Sequence, residues 1–286
     1  MIYLLFAIVG SGVIPVIFRA FDKFGVNLFW AIPANYVTCV LVGSFLMGGS
    51  GGVVSVTAKP WLWLATVQGI LLAVNFYLLA HTAQRVGVAL AALASRLSVA
   101  IPSLLAFVLY GDSLTAIKLV GLLTALVALY LCTAPEKGAD RSRLFQLLPL
   151  LVFATFGAYF TILKYLQTYY LDESSYHGYV MAGFVFAFLS SLAIGAAKSV
   201  FSLADCRVKH ISAGIFLGVI NYIAVYTLLQ VLALKGWQSS QLFPIYSVGV
   251  VAVSAVLAVL LFRERLSKQK TIGLALGLIA VSLLNQ

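Results

Sequence analysis

Charge is what this chain has least of. Of 286 residues only 9% are Asp, Glu, Lys or Arg, and only eight are acidic. A water-soluble domain carries roughly a quarter of its residues charged to cover its surface, so a single aqueous domain is excluded. Cysteine is sparse as well. Cys39, Cys132 and Cys206 are odd in number, far apart and without CxxC spacing, which leaves neither a disulfide framework nor a thiolate metal site. The first two read as small buried hydrophobes and the third as a loop thiol. The sequence holds no His/Cys/carboxylate cluster at ligand spacing, no phosphate-cradling glycine loop and no nucleophile–base pair. It therefore calls for no metal, no cofactor and no enzyme activity. The net charge of +10 is spread too thinly to track a nucleic acid, and nucleic acid is excluded as a partner.

What the chain has instead is apolar length. Apolar residues make up 63% of it, and the mean hydropathy is +1.07. Ten stretches are predicted to be helices in a membrane: 2–18, 28–47, 61–80, 88–110, 116–133, 146–166, 176–197, 211–233, 238–262 and 270–285. The first begins almost at Met1, without a basic leader or a small-residue cleavage site, and is expected to stay as a span. Segments 48–60 and 134–143 read as linkers. Trp30, Trp61, Trp63 and Trp237 sit at span ends, where amphipathic rings meet the headgroups. These features predict an all-α, multi-pass protein of the inner (plasma) membrane, with lipid as its surroundings.

The two halves echo each other. Phe6-Ala7-Ile8-Val9-Gly10 matches Phe153-Ala154-Thr155-Phe156-Gly157, and Gly69 with Tyr77 matches Gly218 with Tyr226. The clearest pair ends each half. Tyr110-Gly-Asp112-Ser-Leu114-Thr115, with Lys118 and Gly121, matches Phe262-Arg-Glu264-Arg-Leu266-Ser267, with Lys270 and Gly273. In each, the acidic residue closes one helix and the hydroxyl is expected to cap the next. The division is 1–135 for the first five-helix repeat, 136–145 for a linker and 146–286 for the second. Five is odd, so the two repeats must cross the bilayer in opposite directions. Inverted repeats around a midplane site are a mark of secondary transporters.

With AIVGSG (7–12), ATFGAYFTILKY (154–165) and the paired segments YGDSLTAIKLVG (110–121) and FRERLSKQKTIG (262–273), the whole chain resembles the drug/metabolite transporter superfamily, specifically the EamA-like ten-helix permeases. The resemblance implies a central cavity lined mainly by the first, third, fourth, sixth, eighth and ninth helices. It implies no particular substrate.

Arg96, in LASRLSVAIP, is the firm case of an ionisable side chain inside a span, about nine residues and some 13 Å into the fourth stretch. Its fork of donors suits a carboxylate, phosphate or sulfate. The competing role is structural, the guanidinium bonding carbonyls that Pro102 frees by lacking an N–H. Gln68 and Asn75, seven apart, share a face of the third helix. Tyr222, Tyr226 and Gln230 form a row on the eighth, and Gln241 and Tyr246 belong to the ninth. Helix–helix bonding is the ordinary use of such residues. As a set, Arg96, Gln68, Asn75, Tyr77, Tyr222, Tyr226, Gln241 and Tyr246 are the candidates for binding a small molecule. Pro15, Pro102 and Pro244 are candidate hinges. His81 and His177 read as interfacial.

The function expected is a permease moving a small metabolite with an anionic group, such as an amino acid. The alternatives are an exporter of uncharged or xenobiotic solutes with Arg96 structural, and a non-transporting sensor or subunit. No carboxylate falls mid-span, which points to facilitated diffusion or exchange and away from proton antiport through Asp or Glu. Thirteen of the 18 Lys and Arg residues lie in connections after odd-numbered helices and four in the opposite set, so both termini are expected outside the cytoplasm. Gly214/Gly218 and Gly273/Gly277 have the spacing for close helix packing, within a monomer by default and in a homodimer as the lesser reading.

Overall fold

The computed structural model describes residues 2–46, 59–110, 115–133, 143–170, 176–197, 205–232, 239–264 and 267–284. Within them the chain is helical, with no strand. The helices are α1 (Ile2–Lys23), α2 (Leu28–Leu46), α3 (Leu62–Arg85), α4 (Val88–Leu97), α5 (Ala100–Tyr110), α6 (Ala116–Thr133), α7 (Arg143–Tyr169), α8 (Tyr176–Ala197), α9 (Val208–Leu232), α10 (Ser239–Phe262) and α11 (Lys268–Leu284). Eight spans are long and apolar enough to cross a bilayer, with α4 and the start of α5 counted together as Val88–Leu105. A shorter apolar helix covers Ala116–Leu131. A 22-residue helix such as α1 is about 33 Å long, enough for a hydrocarbon core of about 30 Å. Large apolar side chains such as Leu41, Phe45 and Leu260 face outward, as lipid requires.

Local chemistry sets several helix ends. Asp22 O accepts from Gly25 N at 3.1 Å and Phe21 O from Val26 N at 2.8 Å, and Gly25 supplies the positive φ of 58° that this closing turn needs. Asn27 then starts α2 by accepting the Phe29 amide at 2.9 Å. The expected hydroxyl caps recur in both halves. Thr115 Oγ1 accepts from Lys118 N at 3.3 Å, and Ser267 Oγ from Lys270 N at 3.4 Å.

The fourth stretch differs from its expected single helix, because it breaks at Ser98–Val99 between α4 and α5. Pro102 has no N–H for the Ser98 carbonyl, and that carbonyl takes Ile101 N instead, at 3.1 Å. Two serine hydroxyls bend the same turn, Ser95 donating to Ala92 O at 2.8 Å and Ser98 to Ser95 O at 2.6 Å. Pro15, by contrast, lies in an unbroken α1.

The described chain forms two compact units. The first comprises Met1–Ala20, Leu78–Ala158 and Ile223–Gln286. In it α6 packs along α11, and α4 packs on α10 and α11. A buried group of Leu4, Ala7, Val231, Tyr246 and Val250 ties α1 to α9 and α10. The second unit comprises Phe21–Tyr77 and Tyr159–Tyr222. In it α2 packs along α8, and Trp61, Leu64, Ala65, Leu166, Tyr179 and Ala182 form a buried cluster. Each unit draws on both sequence halves, so compactness does not follow the division at 136–145.

Candidate functional site

In the first unit, Arg96 stands in the last turn of α4, where the helix dipole favours a cation. Its guanidinium carbon lies 4.8 Å from the centre of the Tyr246 ring. A cation over an aromatic face gains electrostatic attraction without using its in-plane N–H groups. Those groups are left over. Arg96 Nε is buried without a hydrogen-bond partner, and Arg96 forms no ion pair with any described residue. The carbonyl released by Pro102 is taken by Ile101 N and not by Arg96.

Tyr246 is fixed at its other end. Its hydroxyl lies 2.7 Å from the hydroxyl of Ser11 on α1. Next to Ser11, Ser254 of α10 donates to the Gly12 carbonyl at 2.8 Å. The backbones approach so closely there that a Cβ on Gly12 would lie 2.8 Å from Val253 Cγ1. The structure therefore brings Arg96 and Tyr246 together and adds Ser11 and Ser254, which hydropathy alone passes over. Three further hydrogen bonds frame this unit. Arg19 donates to Gln84 O, whose side chain in turn donates to Phe18 O at 2.9 Å, and Glu264 accepts the Val88 amide at the start of α4.

Gln68, Asn75, Tyr77 and Tyr222 belong to the second unit. Gln68 and Asn75 are buried on one face of α3. Gln68 donates to Tyr159 O at 3.4 Å, while among the described residues its Oε1 has no partner and neither polar atom of the Asn75 amide has one. Such groups cost free energy unless a ligand or water meets them. Tyr77 donates to Ser191 O at 3.5 Å, and its ring centre lies 5.2 Å from that of Phe29. Tyr222 is buried beside Gly43, whereas Tyr226, in the first unit, is exposed. Sequence reasoning missed the buried pair Asn221 and Asn35, in which Asn221 donates to the Asn35 oxygen at 3.2 Å. Gln241 and Pro244 lie in α10, but their side chains, like that of His177, fall outside the described residues.

Among known proteins, the profile of the EamA-like transporter family matches residues 144–286, half of the chain. The chain belongs to the EamA-like transporter family. Through that family it belongs to the drug/metabolite transporter superfamily, and it is a multi-pass membrane permease of that type. A relative, an uncharacterized protein of Haemophilus influenzae, is 25% identical over 298 residues, covering 97% of this chain and 95% of the relative. A protein of known crystal structure is similar in fold, with a TM-score of 0.59 and 18% identity over 99% of this chain and 94% of its own. At that identity the likeness shows the fold alone.

Proposed function

We propose that this EamA-like chain is a secondary transporter that carries a small organic metabolite with an anionic group, an amino acid being the leading class, across the inner membrane by alternating access. The observation that carries the reading is the half-buried guanidinium of Arg96. Tyr246 and the α4 dipole balance its charge, yet its donors have no acidic partner among the described residues. A carboxylate from solution would supply the missing partner, and a charge-assisted bond of this kind contributes roughly 1.5–3 kcal/mol. The matching caps at Thr115 and Ser267 support a duplicated unit, and five spans in each copy would invert the second against the first. The break between α4 and α5 beside Arg96 supports a span that moves.

The test is flux of labelled amino acids into liposomes containing the purified protein. Arg96→Lys keeps the charge and loses the fork, so it should weaken transport about tenfold; Arg96→Ala should nearly abolish it with the folded yield unchanged. If Arg96→Ala instead lowers yield and melting temperature but leaves the affinity of the surviving protein intact, Arg96 is structural and the substrate is uncharged. No flux of any solute would favour a sensor or subunit.

A further inference from the structure

Tyr246 can present its face to Arg96 only if its ring is held, and the structure holds it at both ends. The Cβ end is built into α10, within the buried group of Leu4, Ala7, Val231 and Val250. The hydroxyl end is held 2.7 Å from Ser11 of α1. Ser11 is itself buried and placed by its neighbour, since Gly12 sits against Val253 and its carbonyl takes the Ser254 hydroxyl at 2.8 Å. Pro15 adds to the arrangement, because without an N–H it cannot bond the Ser11 carbonyl one turn back. The Ser11 side chain thus bonds α10 at a turn whose own backbone ladder is interrupted.

We propose that Ser11 is a positioning residue for anion binding, acting through Tyr246 on Arg96. The Ser11–Tyr246 bond fixes the phenol ring 4.8 Å from the guanidinium carbon, and the ring in turn holds the cation in place without using its N–H donors. Ordering the pair before binding removes an entropy cost that the ligand would otherwise meet. Without the bond, the ring and guanidinium sample other rotamers, and the anion must select the competent one. This inference rests on Arg96 being the anion site, and the experiment below separates the two.

The probe is acetate, the smallest carboxylate. Modification of Arg96 by phenylglyoxal is followed by peptide-resolved mass spectrometry on the purified full-length protein, with rising acetate against chloride at equal ionic strength. In the native protein acetate should slow modification of Arg96 in a saturable way. Ser11→Ala and Tyr246→Phe should each raise the half-protecting concentration about three- to tenfold, the scale of one neutral hydrogen bond. The double variant should do no more than the larger single change, because both remove the same bond. Ser11→Thr, which keeps the hydroxyl, should restore native protection. Unchanged half-protection in Ser11→Ala, with or without a lower melting temperature, overturns the inference, as do additive losses in the double variant. If acetate fails to protect Arg96 in the native protein, the anion site itself is refuted, and the role of Ser11 with it.

Discussion

Glu264 closes the N-terminus of α4 from the far end of the chain, its two carboxylate oxygens lying 2.9 and 3.2 Å from the Val88 amide. Among the described residues the helix start has no other side-chain cap, and its N-cap residue, Gly87, has a φ of 141° that few other residues adopt. A carboxylate there satisfies an orphan amide and meets the positive end of the dipole. Glu264→Ala should lower stability by about 1–2 kcal/mol and Glu264→Gln by about half of that. Gly87→Ala, which strains φ and sets a Cβ 3.2 Å from the carboxylate, should cost about 1–3 kcal/mol. Melting temperatures in one detergent check all three, and equal values for Ala and native at position 264 would refute the cap.

Close helix packing gives a paired prediction. A Cβ on Gly218 of α9 would lie 2.6 Å from the Asn35 carbonyl oxygen of α2, so backbone must move. On Gly183 of α8 it would meet no atom of the described residues within 4 Å. Gly218→Ala should destabilise by about 1–3 kcal/mol, whereas Gly183→Ala should be neutral or stabilising by up to about 1 kcal/mol through helix propensity. Thermal unfolding of the two variants side by side is the measurement, and a reversed order would contradict the packing.

Orientation is open to a chemical test. Cys206 is exposed just before α9, and Cys39 is buried. The basic residues around it, Arg207 and Lys209 among them, predict that this connection faces the cytoplasm. An impermeant maleimide should spare Cys206 in intact cells and label it after permeabilisation. Ready labelling from outside would invert the topology.

Coupling is the fourth expectation. Among the described carboxylates, Asp22 is in the last turns of α1, Asp205 precedes α9 and Glu264 follows α10. Uptake should therefore respond to a preloaded counter-solute much more than to an imposed pH gradient. A strong pH-driven flux that is lost when one acidic residue becomes its amide would show proton antiport.

Much of the helix layout was legible because hydrocarbon demands long apolar runs, and the run at 88–110 carried in Pro102 the cause of its own break. The partners across the fold were less legible. Glu264 reads in sequence as the residue that closes its own helix, yet its oxygens are used 176 positions away. Asn35 and Asn221 are each unremarkable within their spans, and only the approach of α9 to α2 makes them a pair. Ser11 hides in Gly-Ser-Gly, where small residues signal packing, and its hydroxyl acquires meaning only from Tyr246. Hydropathy locates a helix but carries no record of which face meets which neighbour.

The span of these contacts bears on how the protein is made. The first unit joins residues 1–20 to residues 223–286, and the Ser11–Tyr246 bond alone bridges 235 positions. At about 5–20 residues per second, a ribosome needs roughly 10 to 50 s after Ser11 to deliver Tyr246. Until then α1 lacks the hydroxyl it will bond, and α4, once made, lacks the carboxylate that covers its amide until Glu264 follows. Closure of the unit must therefore wait until α10 has been made. A ribosome arrested before α10 would leave Arg96 in the membrane with neither its aromatic support nor the cap on its helix, a plain target for quality-control proteolysis.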